Sequence, residues 1–542
     1  MTEQYFAKFR KGIIGLDVQL PTLEGPKPMV YADWTASGRN YAPIEQRIQN
    51  EIMPLVANTH TETSTTGMAM THAYHQAQKL IKQHVNAAED DLIVTATSGM
   101  TRLVNKLQRI LGIKMHEHIT DPLPPEYQRP VIFITHMEHH SNQTSWLETM
   151  ATVEIIAPTS NGLIDLDHLD LLLAKYQHRA LKIASVTACS NVTGIITPYH
   201  QIAQKMHQFG GYCFVDFACS APYVNIDMHP SEAIHGPAAH LDAIIFSPHK
   251  FLGGPGSAGV LIFNQKLYKK RIPDNPGGGT VDWTNPWGKH KYIENIEARE
   301  DGGTPAFLQT IKTAMCIRLK EEMGVEHILK REHELTHILW DQLQEIPNVH
   351  VLAPQHRHRL AVFSFYIEHL HYLLGVKLLN DQFGIQCRGG CSCAGTYGHY
   401  LLNVSPHQSQ SITDMIDQGD YSAKPGWIRI SLHPTMTNQE VVFIAESIKA
   451  LAQNFETWIE AYNFDATCHE LTSPNQANEV KIKTQMEQAL TTHFASNTRS
   501  DQPSRIANAA PEQALSQKET IEHLKNAPGD EQPLVTSKKG TS

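Results

Sequence analysis

Five short apolar runs, each breaking off into polar residues, constrain this chain more than any other feature. Asp91-Leu-Ile-Val-Thr95 leads into Thr97-Ser-Gly-Met-Thr101, and Val131-Ile-Phe-Ile134 leads into Glu138-His-His-Ser-Asn142. Leu181-Lys-Ile-Ala-Ser-Val-Thr187 leads into Ser190-Asn-Val-Thr-Gly194, Tyr212-Cys-Phe-Val-Asp216 ends on a carboxylate, and Ile244-Ile-Phe246 runs on to Lys250. Runs of strand length alternate with longer amphipathic stretches over residues 31–259. That rhythm predicts β-α units: an α/β fold with a mostly parallel sheet flanked by helices. In an open α/β sheet the ligand sits beyond the carboxyl ends of the strands, so the five runs aim their polar residues at one edge.

The segment Ser247-Pro-His-Lys-Phe-Leu-Gly-Gly-Pro-Gly256 sets Lys250 between a buried strand and a glycine-rich turn. A lysine at such an edge loses hydration, which lowers its pKa and frees its amine to attack a carbonyl. The glycines predict a backbone that comes close to a ligand. Taken alone, the segment fits a surface lysine in a turn equally well.

At 542 residues the chain exceeds one ordinary domain. Residues 1–30 form an N-terminal segment, 31–310 the large domain, and 311–465 a smaller α+β C-terminal domain. The smaller domain has strand candidates at Leu360-Ala-Val-Phe-Ser-Phe365 and Trp427-Ile-Arg-Ile-Ser-Leu432. The Gly-, Pro- and Trp-rich residues 271–303 read as ordered loops rather than sheet, and helical patterning resumes over 307–343. Residues 472–542 are polar and predict a largely disordered tail with one short helix. No apolar stretch reaches bilayer length and no secretory leader pattern opens the chain, so a cytoplasmic protein without a membrane partner is expected. A net charge of -10 without a dense Lys/Arg stripe argues against nucleic acid. Eight cysteines in so long a chain do not suggest a disulfide framework, and the 32 histidines are spread without ligand spacing.

Together, and in the same order, these segments resemble the fold-type I pyridoxal 5'-phosphate (PLP) enzymes of the class V aminotransferase group over about residues 31–451. Within that group they resemble the cysteine desulfurase and selenocysteine lyase branch. The resemblance makes Lys250 the Schiff-base lysine, with Ser247 and His249 as phosphate contacts. Asp216 becomes the carboxylate on the pyridine nitrogen, where it keeps the ring a better electron sink. His139 takes the place of the histidine stacked on one ring face, Ala218 packs the other face, and Asn191 contacts the ring hydroxyl. Gly99, Met100 and Thr101 match a phosphate-gripping loop at a helix start. In the family's homodimer, Gly303-Thr304-Pro305 would bring Thr304 to the neighbouring subunit's phosphate. Arg429 corresponds to the arginine that binds a substrate α-carboxylate, a task suited to a planar bidentate fork, and Asn191 is a second expected substrate contact.

In the desulfurase branch a thiolate attacks the sulfur of a cysteine substrate, leaving a protein persulfide and alanine. Arg388-Gly-Gly-Cys-Ser-Cys-Ala394 resembles that branch's Arg-x-Gly-x-x-Cys-Ala loop and puts Cys393 at the nucleophile position. His139 is then an acid/base group and Lys250 the proton carrier. The chain departs from the pattern at Cys219, where glutamine is usual, at Phe217, which replaces a small residue, and at Cys391-Ser392, where histidines are frequent. The expected activity is a PLP-dependent, metal-free conversion of L-cysteine to L-alanine, with an amino-acid substrate and a sulfur-acceptor protein as partners. The rivals are another class V enzyme (aminotransferase, epimerase or kynureninase-like lyase) with a structural Cys393, a metal site at Cys387, Cys391, Cys393 and His399, and a non-enzymatic scaffold that retains the PLP fold while its tail recruits a partner. Cys391 as a resolving thiol is compatible with the desulfurase reading. Truncation after about residue 472 is expected to leave cofactor binding intact.

Overall fold

Apolar residues on both faces of a strand demand cover on both faces, and the five runs receive it inside one seven-stranded sheet. In the computed structural model, which describes residues 2–59, 61–115 and 124–492, the strands are β1 (Asp91–Ala96), β2 (Val131–Thr135), β3 (Thr152–Ile156), β4 (Lys182–Thr187), β5 (Tyr212–Asp216), β6 (Ala243–Phe246) and β7 (Gly259–Asn264). Their spatial order is β1-β7-β6-β5-β4-β2-β3. Strands β3, β2, β4, β5 and β6 pair in parallel, and β7 is antiparallel to both β6 and β1. Because β7 reverses between them, β1 and β6 point the same way, and all five motif-bearing strands end at one edge. Every residue of β2, β4, β6 and β7 is buried.

A second, four-stranded antiparallel sheet holds β8 (Val349–Val351), β9 (Val362–Ile367), β10 (Arg388–Gly390) and β11 (Trp427–Ser431), in the order β8-β9-β11-β10. The stretch around residue 33 is laid against it. Ser431 N donates to Ala32 O at 2.8 Å, Thr35 N donates to Ser431 Oγ at 2.8 Å, and Val30–Tyr31 pairs in parallel with Ile385–Gln386. Among the described residues no helix is long and apolar enough to cross a membrane.

Two expectations are corrected. Within residues 271–303, Val281–Thr284 and His290–Tyr292 form an antiparallel hairpin. Its turn is closed by the Asn285 side chain, which accepts from Trp287 N and Lys289 N, and its strands are too short to show an alternating pattern. The polar stretch after residue 472 carries a short helix as expected, Gln476–Thr491, but it does not begin as disordered chain, since Ser473 and Asn475 are buried. The cause is Asp381, a buried carboxylate that accepts from Ser473 Oγ at 2.6 Å, Asn475 Nδ2 at 3.2 Å, Tyr462 OH at 3.1 Å and Lys377 Nζ at 2.7 Å. Composition carries no trace of such an anchor. The expectation for residues 493–542 lies outside the described residues.

Candidate active site

The five strand ends meet in a cavity of about 270 Å³. Lys250 closes a single 3-10 turn, Pro248–Lys250, directly after β6. The glycines that follow serve the backbone itself: a Cβ at Gly254 would sit 2.0 Å from Pro248 O. Asp216 ends β5 one strand away, with Oδ1 accepting from Ala218 N at 2.8 Å. Burial raises the Asp216 carboxyl to about 6, against the opposing pull of Lys250. Burial lowers Lys250 below the usual lysine range, helped by Arg429 and Arg388 and opposed by Cys219 and Asp216. The floor therefore pairs a carboxylate held reluctantly as an anion with an amine held reluctantly as a cation.

His139 caps the helix His140–Leu147, its Nδ1 accepting from Ser141 N at 3.1 Å. Burial, with Lys250 nearby, lowers it to about 4, so the ring is neutral and carries its proton on Nε2. Its position is set from below by Glu138, which takes Thr135 Oγ1 at 2.6 Å, Asn142 Nδ2 at 2.7 Å and Thr187 N at 2.9 Å. Glu138 is itself raised to about 7 by burial. It ties the ends of β2 and β4 together beneath the histidine.

Gly99 caps the helix Met100–Ile110 at one corner of the cavity. Met100 N donates to Ser247 Oγ at 2.9 Å, and Thr101 Oγ1 meets Ser141 Oγ at 2.7 Å. A Cβ at Gly99 would lie 2.6 Å from Ser247 Oγ, so any larger residue would displace the hydroxyl that Met100 N bonds. His249 also lines this cavity, lowered to about 4 by burial and by Lys250. A helix start, two hydroxyls and a serine in a cradle suit an anion.

Arg429, in β11, is 3% exposed. It donates to Asp33 Oδ1 at 2.9 Å and to Asn191 O at 3.2 Å, and its Nε has no hydrogen-bond partner among the described residues. Arg388 Nε reaches the other oxygen of Asp33 at 3.2 Å. One carboxylate thus faces two guanidinium groups, leaving cationic capacity at the cavity wall.

Cys393 is exposed and lines the same cavity. Ser392 and Cys393 have φ of 51° and 56°, the left-handed region that side chains seldom adopt. The turn is held from outside: Cys393 O accepts from His140 N at 2.7 Å, Ser392 O from Asn191 Nδ2 at 2.8 Å, and Ser392 Oγ from Trp427 Nε1 at 3.1 Å. The rival metal set does not converge. His399 is bonded to Gly395 O and Ser409 Oγ, each at 2.8 Å, and Cys387 packs against the main core. Among the described residues the three-ligand groups are limited to His207, His240 and Asp242, where Lys266 already stands 2.6 Å from the carboxylate.

Of the expected site residues, Gly99, Met100, Thr101, His139, Asn191 and Asp216 line the cavity. Ala218, Ser247, His249, Lys250, Cys393 and Arg429 line it as well, while Thr304 is exposed and does not. Sequence reading misses Asp33, Cys189 and Ser141. Asp33 sits 396 positions from its arginine, which no local pattern links; Ser141 is visible within the Glu138-His-His-Ser-Asn142 segment.

The class-V aminotransferase family model matches residues 30–443. A probable cysteine desulfurase of Halalkalibacterium halodurans is 28% identical over 371 residues, covering 68% of this chain and 84% of that one. One from Synechocystis is 25% identical over 434 residues, covering 79% and 92%. Among solved structures, a cysteine desulfurase of Thermococcus onnurineus superposes with a TM-score of 0.64 at 24% identity, over 79% of this chain and 95% of that one. The cysteine desulfurase CsdA of Escherichia coli superposes with 0.63 at 20%, over 83% and 98%. Class V aminotransferases depend on PLP, and the cavity suits it. Asp216 would meet the ring nitrogen, the Gly99–Thr101 corner with Ser247 would take the phosphate, and Lys250 would supply the amine. Strand order, the lysine after β6 and the match over residues 30–443 agree: the chain is a PLP-dependent enzyme and belongs to the class-V aminotransferase family.

Proposed function

We propose that the protein is a cysteine desulfurase, converting L-cysteine to L-alanine with a persulfide formed on Cys393. The observation that carries this reading is a thiol exposed in the same cavity as Lys250 and Arg429, on a turn bonded to Asn191 and His140. The naming of the relatives supports it. Arg429, with Arg388 beside it, takes the substrate carboxylate, displacing part of the charge that Asp33 now satisfies. Bound PLP supplies an electron sink for charge developing at the substrate Cα. Lys250, whose amine burial holds below the usual lysine range, moves the proton at Cα. His139, neutral with its proton on Nε2, is the acid/base group at the cavity wall. The Cys393 thiolate attacks the substrate sulfur, the Cβ–S bond breaks, and Cβ takes up a proton as alanine forms.

In this reading Lys250, Cys393 and His139 are the catalytic groups, and Arg429 and Asn191 bind the substrate. Residues 31–310 act as the large domain and 311–465 as the small one. The working protein is a cytoplasmic homodimer in which Thr304 reaches the neighbouring subunit's phosphate, and an acceptor protein takes the sulfur. The test is incubation with L-cysteine and a reductant, measuring sulfide and alanine together. Equal yields, lost in Cys393→Ala and in Lys250→Ala, support the reading. A cofactor spectrum without sulfide, or full activity in Cys393→Ala, moves the protein to another class V activity.

A further inference from the structure

Two thiols besides Cys393 line the cavity. Thr187 and Asp216 are register partners in neighbouring parallel strands, and Ala188 N donates to Asp216 O at 2.8 Å. The chain segments that leave β4 and β5 therefore start out together, and they carry Cys189 and Cys219. Cys189 Sγ is 3.6 Å and Cys219 Sγ 3.7 Å from one shared acceptor, Ser190 O. Each thiol shifts the proton affinity of the other, and both line the cavity that holds Lys250. The other two buried cysteines, Cys213 and Cys316, do not line it.

We propose that Cys189 and Cys219 form an oxidisable dithiol in the cavity floor, which a peroxide converts to a disulfide that weakens cofactor retention. The loss of cofactor rests on family membership alone and is independent of the desulfurase reading. The two thiols are unequal. The neighbouring Cys189 thiol, with Lys250 and Arg429 nearby, lowers Cys219, whereas burial raises Cys189. Cys219 is then the attacking thiolate and Cys189 the resolving thiol. Cys219 sulfur attacks a peroxide oxygen, the O–O bond breaks, and a sulfenic acid and hydroxide result. Cys189 sulfur attacks that sulfenic sulfur, hydroxide leaves, and protons from the two thiols convert both hydroxides to water. Two thiols and one hydrogen peroxide thus become one disulfide and two waters. Closing the bond brings the sulfurs to about 2 Å, so Cys219 must shift relative to Lys250 and the floor it shares with Asp216.

The test treats the full-length, cofactor-loaded protein with hydrogen peroxide, then denatures, alkylates and maps its peptides. The expected result is a cross-linked pair containing Cys189 and Cys219 and at least a twofold loss of bound-cofactor absorbance, both reversed by dithiothreitol and added PLP. Cys219→Ser should abolish the cross-link. Complete alkylation of Cys189 and Cys219 after peroxide, with oxidation confined to Cys393 or Cys468, overturns the proposal. So does a cross-link that leaves cofactor absorbance unchanged.

Discussion

The floor of the cavity and its cysteine rim are built by different rules. Asp216 and Lys250 stand where they do because β5 and β6 are neighbours in a sheet buried on both faces, so their spacing follows from backbone register. Ser392 and Cys393 occupy two successive left-handed positions and are held by groups from three other segments: His140 N, Asn191 Nδ2 and Trp427 Nε1. A floor made by register is disabled only from within, at a reacting atom or by a bond formed across it. A rim made by side-chain hydrogen bonds can be loosened by degrees.

The largest expected effects separate the two. Lys250→Ala should remove the cofactor's covalent partner and cut turnover by about 10³-fold or more, with the visible spectrum altered. Cys393→Ala should cut sulfide release by a similar factor and leave the spectrum unchanged. If Cys393→Ala also loses cofactor, the rim is part of the floor and the division fails. Arg429→Lys sits between them, because its fork spans Asp33 and Asn191 O. Losing charge-assisted bonds of this kind costs roughly 10–100-fold in kcat/KM, read mainly in KM, with cofactor absorbance intact.

The same division sets how much of the fold and the site is legible in the sequence. Strand ends are legible because Thr97-Ser-Gly-Met-Thr101, Asp216 and Ser247-Pro-His-Lys250 each follow an apolar run directly, so local order along the chain is also order in space. Asp33 is not legible: it meets Arg388 and Arg429 across 355 and 396 positions. Nor is the bond from Trp427 to Ser392, nor the Asp381 anchor that turns a polar stretch into buried chain. These depend on which side chains happen to face one another once sheets have packed, and periodicity says nothing about that. In the sequence Cys219 stands out only as a missing glutamine, because its partner Cys189 lies on a different strand end.

Acid should stress the cavity through its half-buried histidines. His139 and His249 titrate at about 4 in the folded chain, below histidine's ordinary 6.5. The folded state therefore binds fewer protons there than the unfolded one. Stability present above pH 6.5 is lost as the pH falls towards 4, on the order of 1 kcal/mol from each partly exposed ring. Thermal melts of the cofactor-free chain at pH 7 and pH 4.5 should show the drop, and His249→Gln should shrink it. A melt independent of pH over that range would mean these rings are hydrated in solution and the floor is less dry than its geometry suggests.

The smallest effect tests the rim most finely. Trp427→Phe keeps an aromatic ring in a buried position but removes the indole N–H that Ser392 Oγ accepts, at a cost of about 1–2 kcal/mol from the lost bond and lost volume. Asn191→Ala removes the second hold, at Ser392 O. If left-handed Ser392 and Cys393 stay in place only because both bonds restrain them, either change alone should lower sulfide production a few-fold. The two together should lower it by more than the product of the single effects, because residues sharing one partner are coupled. Cofactor absorbance should not move in Trp427→Phe. Independent effects would instead mean that the bond from His140 N to Cys393 O, at 2.7 Å, is enough to present the thiol, and that Ser392 is a passive spacer.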